Sequence, residues 1–186
     1  MKITSAIPSA LAMLVLAPAF LSSCLKDDDI DYNEWEQRNT KFVADKEMER
    51  DGLGQPVYTR YAPAWAPDAF VLLKWENDRF STASSLSPMD NSVVRVKYAL
   101  DNIDGTRISD SYSARASYGD SIYQCRPNDN IVGFWAALTQ MKVGDKVTAI
   151  MPAVSAYGKV NNGTIPAYST LVYTIELVSI PRYEVP

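Results

Sequence analysis

The run Thr170 to Ile180 constrains the fold most: Leu171, Tyr173, Ile175 and Leu177 fall on alternate positions, so one face of a long strand must be buried. A single strand cannot cover that face, and other segments supply the partners. Val93 to Leu100 is rich in β-formers and alternates from Val94 onward, and Lys146 to Met151 reads as a further strand. Ile131 to Gln140 reads as a helix on which Phe134, Leu138 and Met141 share a face. Asn128, Asp129 or Asn130 is available as its N-cap, and Gly144-Asp145 closes the segment. Asp104-Gly105 marks a tight turn, because glycine accepts positive φ. Several strands and one short helix predict an α+β domain, with the helix packed on an antiparallel sheet.

The preceding stretch is less regular. Tyr32 to about Met48 allows a helix of modest amphipathicity, with Trp35, Phe42 and Val43 among charged residues and no Gly or Pro to break it. Asp51-Gly52 and Gly54-Gln55-Pro56 end it with turn chemistry. Tyr58 to Pro67 is aromatic and Pro-rich, an extended linker or a cover over another surface. Phe70 to Trp75 reads as a buried strand or a short helix, since periodicity alone does not decide.

At the N-terminus, Lys2 precedes an apolar run from Ala6 to Phe20 that ends in Leu21-Ser22-Ser23-Cys24. A positive start, a short apolar core and small residues at its end read as a secretory signal rather than a spanning helix. Leu-Ser-Ser-Cys resembles a bacterial lipobox, in which the cysteine is acylated and becomes the new N-terminus. Residues 1–23 are thus expected to be a lipoprotein signal peptide and Cys24 the lipidation site. Residues 24–31, with Lys26 and the aspartates 27–29 and 31, form an acidic, solvated tether. This tether also resembles the signal that exports Bacteroidetes lipoproteins, so the expected location is the outer membrane, on its periplasmic or cell-surface face. Its Asp27, Asp29, Asp31, Asn33 alternation is no calcium loop: the sixth position lacks glycine and Arg38 stands at the twelfth, where a bidentate Glu belongs.

Composition narrows the chemistry. The 186-residue chain has no histidine, which removes Ser-His-Asp and Cys-His nucleophile systems and argues against a catalytic zinc site. With Cys24 lipidated, Cys125 is the lone remaining thiol, so no internal disulfide forms and no metal is expected. A net charge of −4 offers no basic surface for phosphate backbones, and nucleic acid is not expected as a partner.

Three blocks, in order and spacing, are similar to the FKBP-type peptidyl-prolyl cis/trans isomerases. They are Val96-Lys97-Tyr98 followed by Asp104 to Ser111; Ile131-Val132-Gly133-Phe134 through Met141-Lys142-Val143-Gly144-Asp145; and Pro152 through Ala156-Tyr157-Gly158 to Ile165-Pro166-Ala167 and Leu177. The resemblance spans roughly Pro88 to Pro181. It implies an FKBP-like antiparallel β-sheet wrapped around one short α-helix, with residues 32–87 as an N-terminal extension and 88–182 as the isomerase domain. It implies peptidyl-prolyl isomerase activity without a cofactor, assisting extracytoplasmic protein folding, on proline-containing polypeptides. It also implies a pocket able to take a macrolide of the tacrolimus type, and membrane attachment comes from the lipid anchor. A non-catalytic FKBP-fold binding or chaperone module, or an accessory lipoprotein of an outer-membrane complex, is the alternative.

Such chemistry suits a chain without imidazole. The barrier to X-Pro rotation, about 20 kcal/mol, comes from amide resonance, and a pocket that holds the twisted amide better than the planar one lowers it without moving a proton. The resemblance assigns catalytic roles to Tyr98, Asp110 and Tyr157, with Arg115 as the partner of Asp110. Ile131 is expected to offer its backbone N–H to substrate, Phe134 to form the apolar floor, and Ile165 and Tyr173 to close the proline-binding side. Where the family usually has a tryptophan floor this chain has Phe134, and Trp135 should face elsewhere. One extra residue precedes Asp110, so Ile108 or Ser109 replaces an aromatic, and Ser121 or Ile122 stands where another wall aromatic is expected. The stretch Pro152 to Tyr157 is one residue longer than usual, the loop on to Ile165 is one shorter, and Pro166-Ala167 stands for the family's Pro-Pro. Fewer wall aromatics imply a weaker hold on proline.

Overall fold

The computed structural model describes residues 30–113 and 121–182. Cys24, with the rest of the signal and most of the tether, lies outside the described residues, as does Arg115.

The long alternating segment forms the spine. Leu171–Arg182 (β7, in the numbering used below) pairs antiparallel on one side with Val93–Asp101 (β3) and on the other with Lys146–Met151 (β6). Val71–Trp75 (β2) pairs with β6, and Thr59–Tyr61 (β1) pairs with β2 at the edge. The other edge of β3 is shared. Arg107–Asp110 (β4) pairs with its end and Tyr123–Cys125 (β5) with its start. The order is β1-β2-β6-β7-β3-β4, all antiparallel, so the sheet runs across the boundary drawn at residue 88.

The segment Phe70 to Trp75 is thereby settled as a strand from Val71 onward, and its unbroken apolar character has a cause. Val71 and Leu73 belong to the main core, whereas Leu72, on the opposite face, packs with Val43 and Ile150. A strand covered on both faces reads as a continuous apolar run rather than an alternation.

Two helices provide that cover. Val132–Gln140 (α2, following Tyr32–Met48, α1) sits on the inner face, where Phe134, Leu138 and Met141 meet Val147, Met151, Leu171, Ile175 and Leu177. Gly133 lets this helix come close: a Cβ there would stand 2.7 Å from Met151 Cγ. The second helix, α1, covers the outer face. Asp31, read as part of a solvated tether, caps it by accepting from the N–H groups of Asn33 (2.9 Å) and Glu34 (3.2 Å). Val43 is its apolar anchor and Asn39, 1% exposed, its polar one, accepting from Thr170 N–H at 2.6 Å and donating to Trp35 O at 2.8 Å. Trp35 Nε1 donates to Ser169 Oγ at 3.0 Å, and the Tyr32 hydroxyl meets the Asn161 side chain at 3.0 Å. The extension thus grips the segment 161–170 from behind.

The aromatic stretch Tyr58 to Pro67 is a cover. Tyr61 packs on the main core, and Trp65 stacks on Trp135 with ring centroids 3.7 Å apart and planes at 21°. Trp135 therefore faces away from the neighbouring Phe134, and its Nε1 donates to Asp90 at 2.7 Å.

Candidate active site

A cavity of about 670 Å³ opens where α2 begins, between β3, β4, β5 and the loop 157–165. Tyr98, Ile131, Phe134, Tyr157, Ile165 and Tyr173, scattered over 76 residues of sequence, all line it. Phe134 and Tyr173 form the floor, 3% and 8% exposed, in edge contact at 5.1 Å. Tyr98 stands over both, 6.4 Å from Phe134 and 5.9 Å from Tyr173, and its hydroxyl meets Ser109 Oγ at 3.2 Å.

The extra residue before Asp110 has a structural outcome. Asp101 pairs with Arg107 but Leu100 pairs with Ser109, leaving Ile108 as the bulged residue of β4. The bulge sets both Ile108 and Ser109 on the cavity wall. Neither closes the space.

The missing wall aromatic is Tyr123, one or two residues beyond the positions expected from sequence. The chain enters β5 through Ser121 in the left-handed region (φ 61), and the register Val96↔Tyr123 places the ring beside Tyr98 at 5.5 Å, edge to face. The cue in the sequence is that Tyr123 is the one aromatic between Gly119 and Pro127; the irregular stretch before it prevents counting a register. With Tyr98 and Tyr157 the wall carries three tyrosines, so the expected thinning of aromatics does not occur on that side.

These phenols sit close enough to affect one another. Burial pushes the Tyr173 hydroxyl far above the ordinary phenol range, and neighbouring Tyr157, Tyr98 and Tyr123 add to the rise. Burial likewise raises Tyr123, with smaller contributions from Cys125, Tyr98 and Asp129. Both remain neutral O–H groups at any physiological pH and serve as donors rather than bases.

Two backbone features complete the cavity. Ile131 is the N-cap of α2, and its N–H is one of the terminal donors that intrahelical bonding leaves over. The far wall is a turn in which Asn162 and Ile165 exchange both backbone hydrogen bonds at 2.9 Å around Gly163 (φ 57). Gly158, also left-handed at φ 63, receives the Tyr168 N–H at 2.8 Å and closes the loop base.

Asp110 is placed differently from the other assigned residues. It is not among the lining residues; its carboxylate accepts from Ser113 N–H at 2.5 Å and lies 3.4 Å from Arg107. The Ser113 N–H, and after it the Arg107 guanidinium, hold its carboxyl below the usual carboxylate range. Arg107 also binds Asp101. Among the described residues, Arg107 is the cationic partner of Asp110.

Cys125, half-buried on β5 next to the site, has a thiol that burial pushes up to about 11. Its thiolate fraction at pH 8 should be about 100-fold below that of an exposed cysteine, and a disulfide reagent should react correspondingly slowly. Stopped-flow thiol titration of the folded Cys24→Ser chain, in which Cys125 is the one thiol left, checks this. Reaction at the rate of free cysteine would contradict the environment described.

Comparison with known proteins agrees with this geometry. The family model described as FKBP-type peptidyl-prolyl cis-trans isomerase matches residues 85–178. The isomerase FkpA of Escherichia coli K12 is 33% identical over 94 residues, covering 50% of this chain and 33% of FkpA. FK506-binding protein 1 of Gibberella zeae is 31% identical over 108 residues, covering 56% of this chain and 96% of that protein. Among solved structures, a peptidyl-prolyl cis-trans isomerase from Pseudomonas syringae superposes with a TM-score of 0.63 at 22% identity, over 81% of this chain and 96% of the other. The chain thus spans about a third of FkpA and nearly all of the fungal protein. Its antiparallel sheet, the helix on its inner face and the matched segment together place the chain in the FKBP-type peptidyl-prolyl cis-trans isomerase family.

Proposed function

We propose that the chain is a peptidyl-prolyl cis/trans isomerase acting on extracytoplasmic polypeptides while tethered to the outer membrane through a lipid on Cys24. The observation that carries the isomerase reading is the open cavity with a Phe134-Tyr173 floor, a tyrosine wall and a free helix N-terminus at its edge. The proline ring fits the apolar floor. When the amide twists, the nitrogen loses its share of the π system and the carbonyl swings out of plane. The Ile131 N–H and the Tyr157 hydroxyl are the donors available to follow that carbonyl, and aromatic surroundings offer the planar, more polar ground state little compensation. Asp110 acts from outside the lining, ordering the end of β4 through Ser113 and Arg107.

The lipid anchor is supported by Leu21-Ser22-Ser23-Cys24 after a short apolar run, and the outer-membrane location by the acidic residues that follow. Proline-containing segments of secreted and surface proteins are the clients this setting supplies.

The test is a protease-free assay of Xaa-Pro isomerisation with the full chain in detergent. Catalysis is expected, inhibited by a tacrolimus-type macrolide competing for the same floor. Tyr157→Phe should lower kcat by about threefold to tenfold, the effect of one hydrogen bond worth about 1 kcal/mol. No acceleration by the parent chain would end the enzymatic reading.

A further inference from the structure

We propose that Asp129 gives this cavity a charge preference, favouring polypeptides with lysine or arginine next to the isomerising proline. The inference rests on the isomerase reading of the same cavity and adds a class of substrate to it.

Of the fifteen residues that line the cavity, Asp129 alone carries a formal charge. Its nearest lining neighbours in sequence, Asn130 and Ile131, are neutral, as are the exposed lining residues Ser109, Asn162 and Thr164. Asp129 is exposed, and among the described residues it has no ion-pair partner. The two other carboxylates on this flank, Asp101 and Asp110, are both engaged by Arg107. The three groups together keep one net negative charge, but neither carboxylate is in the lining of the cavity, whereas that of Asp129 is. Its field already reaches the wall: the carboxylate of Asp129 is one of the charges that raise the Tyr123 phenol.

Position decides which part of the substrate responds. The apolar floor of Phe134 and Tyr173 holds the proline, and Asp129 ends the one-turn segment Pro127–Asp129 just ahead of α2, at the opening. An extended polypeptide advances about 3.3 Å per residue, so the side chains within one or two residues of proline lie along that opening. A lysine there gains the carboxylate and loses little hydration; a glutamate meets repulsion, reinforced by the chain's net charge of −4. Asp129 also sits where a negative charge favours the N-terminus of α2, so its removal is expected to lower stability as well. The experiment must separate the two effects.

Peptides identical except for Lys, Gln or Glu on either side of the Xaa-Pro bond are assayed with the full chain in detergent. The expected kcat/KM ratio of Lys to Glu is about threefold to fivefold at low salt, the range of an exposed ion pair. It should shrink towards unity in 1 M salt, where the Debye length is about 3 Å. Asp129→Asn should abolish the ratio and Asp129→Lys invert it. A ratio near unity in the parent chain, or one that survives Asp129→Asn, overturns the proposal; a lowered melting temperature with an unchanged ratio shows that the carboxylate serves only the helix. If no peptide is isomerised, the enzymatic reading fails separately. Fluorescence titration with the Lys and Glu peptides then reads the preference directly, and equal affinities overturn it.

Discussion

Phe134→Ala is expected to lower kcat/KM for Xaa-Pro isomerisation by about tenfold to a hundredfold, the largest loss of activity that a single substitution in this cavity should cause. The ring is 3% exposed, in edge contact with Tyr173 at 5.1 Å and with Tyr98 at 6.4 Å, so no neighbouring side chain replaces it as the floor. A proline ring that loses this surface forfeits about 1.5–3 kcal/mol of apolar burial in the bound state. Because the floor holds the ring while the amide turns, that loss falls on the twisted state as well as the planar one, and kcat/KM reads the sum. The substitution also opens a core cavity costing about 3–5 kcal/mol of stability, so rates must be measured on protein shown to be folded. Phe134→Leu separates the effects: it keeps most of the volume, should recover most of the stability, and should leave activity between the two. A folded Phe134→Ala chain within twofold of the parent rate would place the proline somewhere other than on this floor.

The sheet was readable because its strands obey one simple rule. Leu171, Tyr173, Ile175 and Leu177 alternate on β7, and all four are buried in the main core. Phe70 to Trp75 broke that rule and so stayed ambiguous. Its run is apolar on both faces because α1 covers the side that most strands leave to solvent. Nothing in the modest amphipathicity of α1 announces that role. The helix is held by one buried apolar residue, Val43, with the half-buried Phe42 beside it, and by Asn39 and Trp35, which reach the 169–170 backbone and side chain through hydrogen bonds. Polar anchoring of this kind leaves no periodic trace in a sequence. The stacking of Trp65 on Trp135 is equally silent, since each residue reads separately as an exposed aromatic.

Site residues divide along the same line. Tyr98, Ile131, Phe134, Tyr157, Ile165 and Tyr173 lie on regular elements or beside glycine turns whose register can be counted, and they meet in one cavity. Ile108 and Tyr123 depend on irregular backbone: a bulge opposite Leu100 and Asp101 for the first, a left-handed serine for the second. Their residue types are ordinary, and only the local geometry aims them inward. Asp110 shows the reverse case. Its spacing after Asp104-Gly105 is close to expectation, yet the bulge directs its neighbours to the cavity and leaves it outside the lining, bonded to Ser113 and Arg107.

Asp145→Ala is expected to reduce the unfolding free energy by about 3–4 kcal/mol, more than any other single polar truncation among the described residues. Asp145 is fully buried, 0% exposed, and its carboxylate gathers three donors: Asn77 Nδ2 at 3.1 Å, Thr82 Oγ1 at 2.5 Å and Lys142 N–H at 2.8 Å. Arg79 approaches to 3.4 Å while its guanidinium stacks on Trp75, 3.7 Å from the ring centroid, and donates to Gln140 O at 3.0 Å. Because Arg79 keeps 38% of its exposure, deleting the aspartate does not strand a buried cation, and the cost is set by the donors instead. Each loses a charge-assisted partner in a place water reaches poorly, at about 1 kcal/mol or more apiece. The cluster ties the segment before β3 to the turn between α2 and β6, where Asp145 O also receives the Leu177 N–H at 3.0 Å; β7 and β3 lie between this turn and Tyr123 on β5. Urea unfolding should therefore show a lower midpoint with an unchanged slope, while kcat/KM measured well below the transition stays within about twofold. Asp145→Asn should fall between, because its amide keeps one acceptor oxygen but points two hydrogens at groups that are themselves donors. A loss below about 1 kcal/mol in the alanine variant would mean that water enters to satisfy these donors, and that the network orders the turn without stabilising the fold.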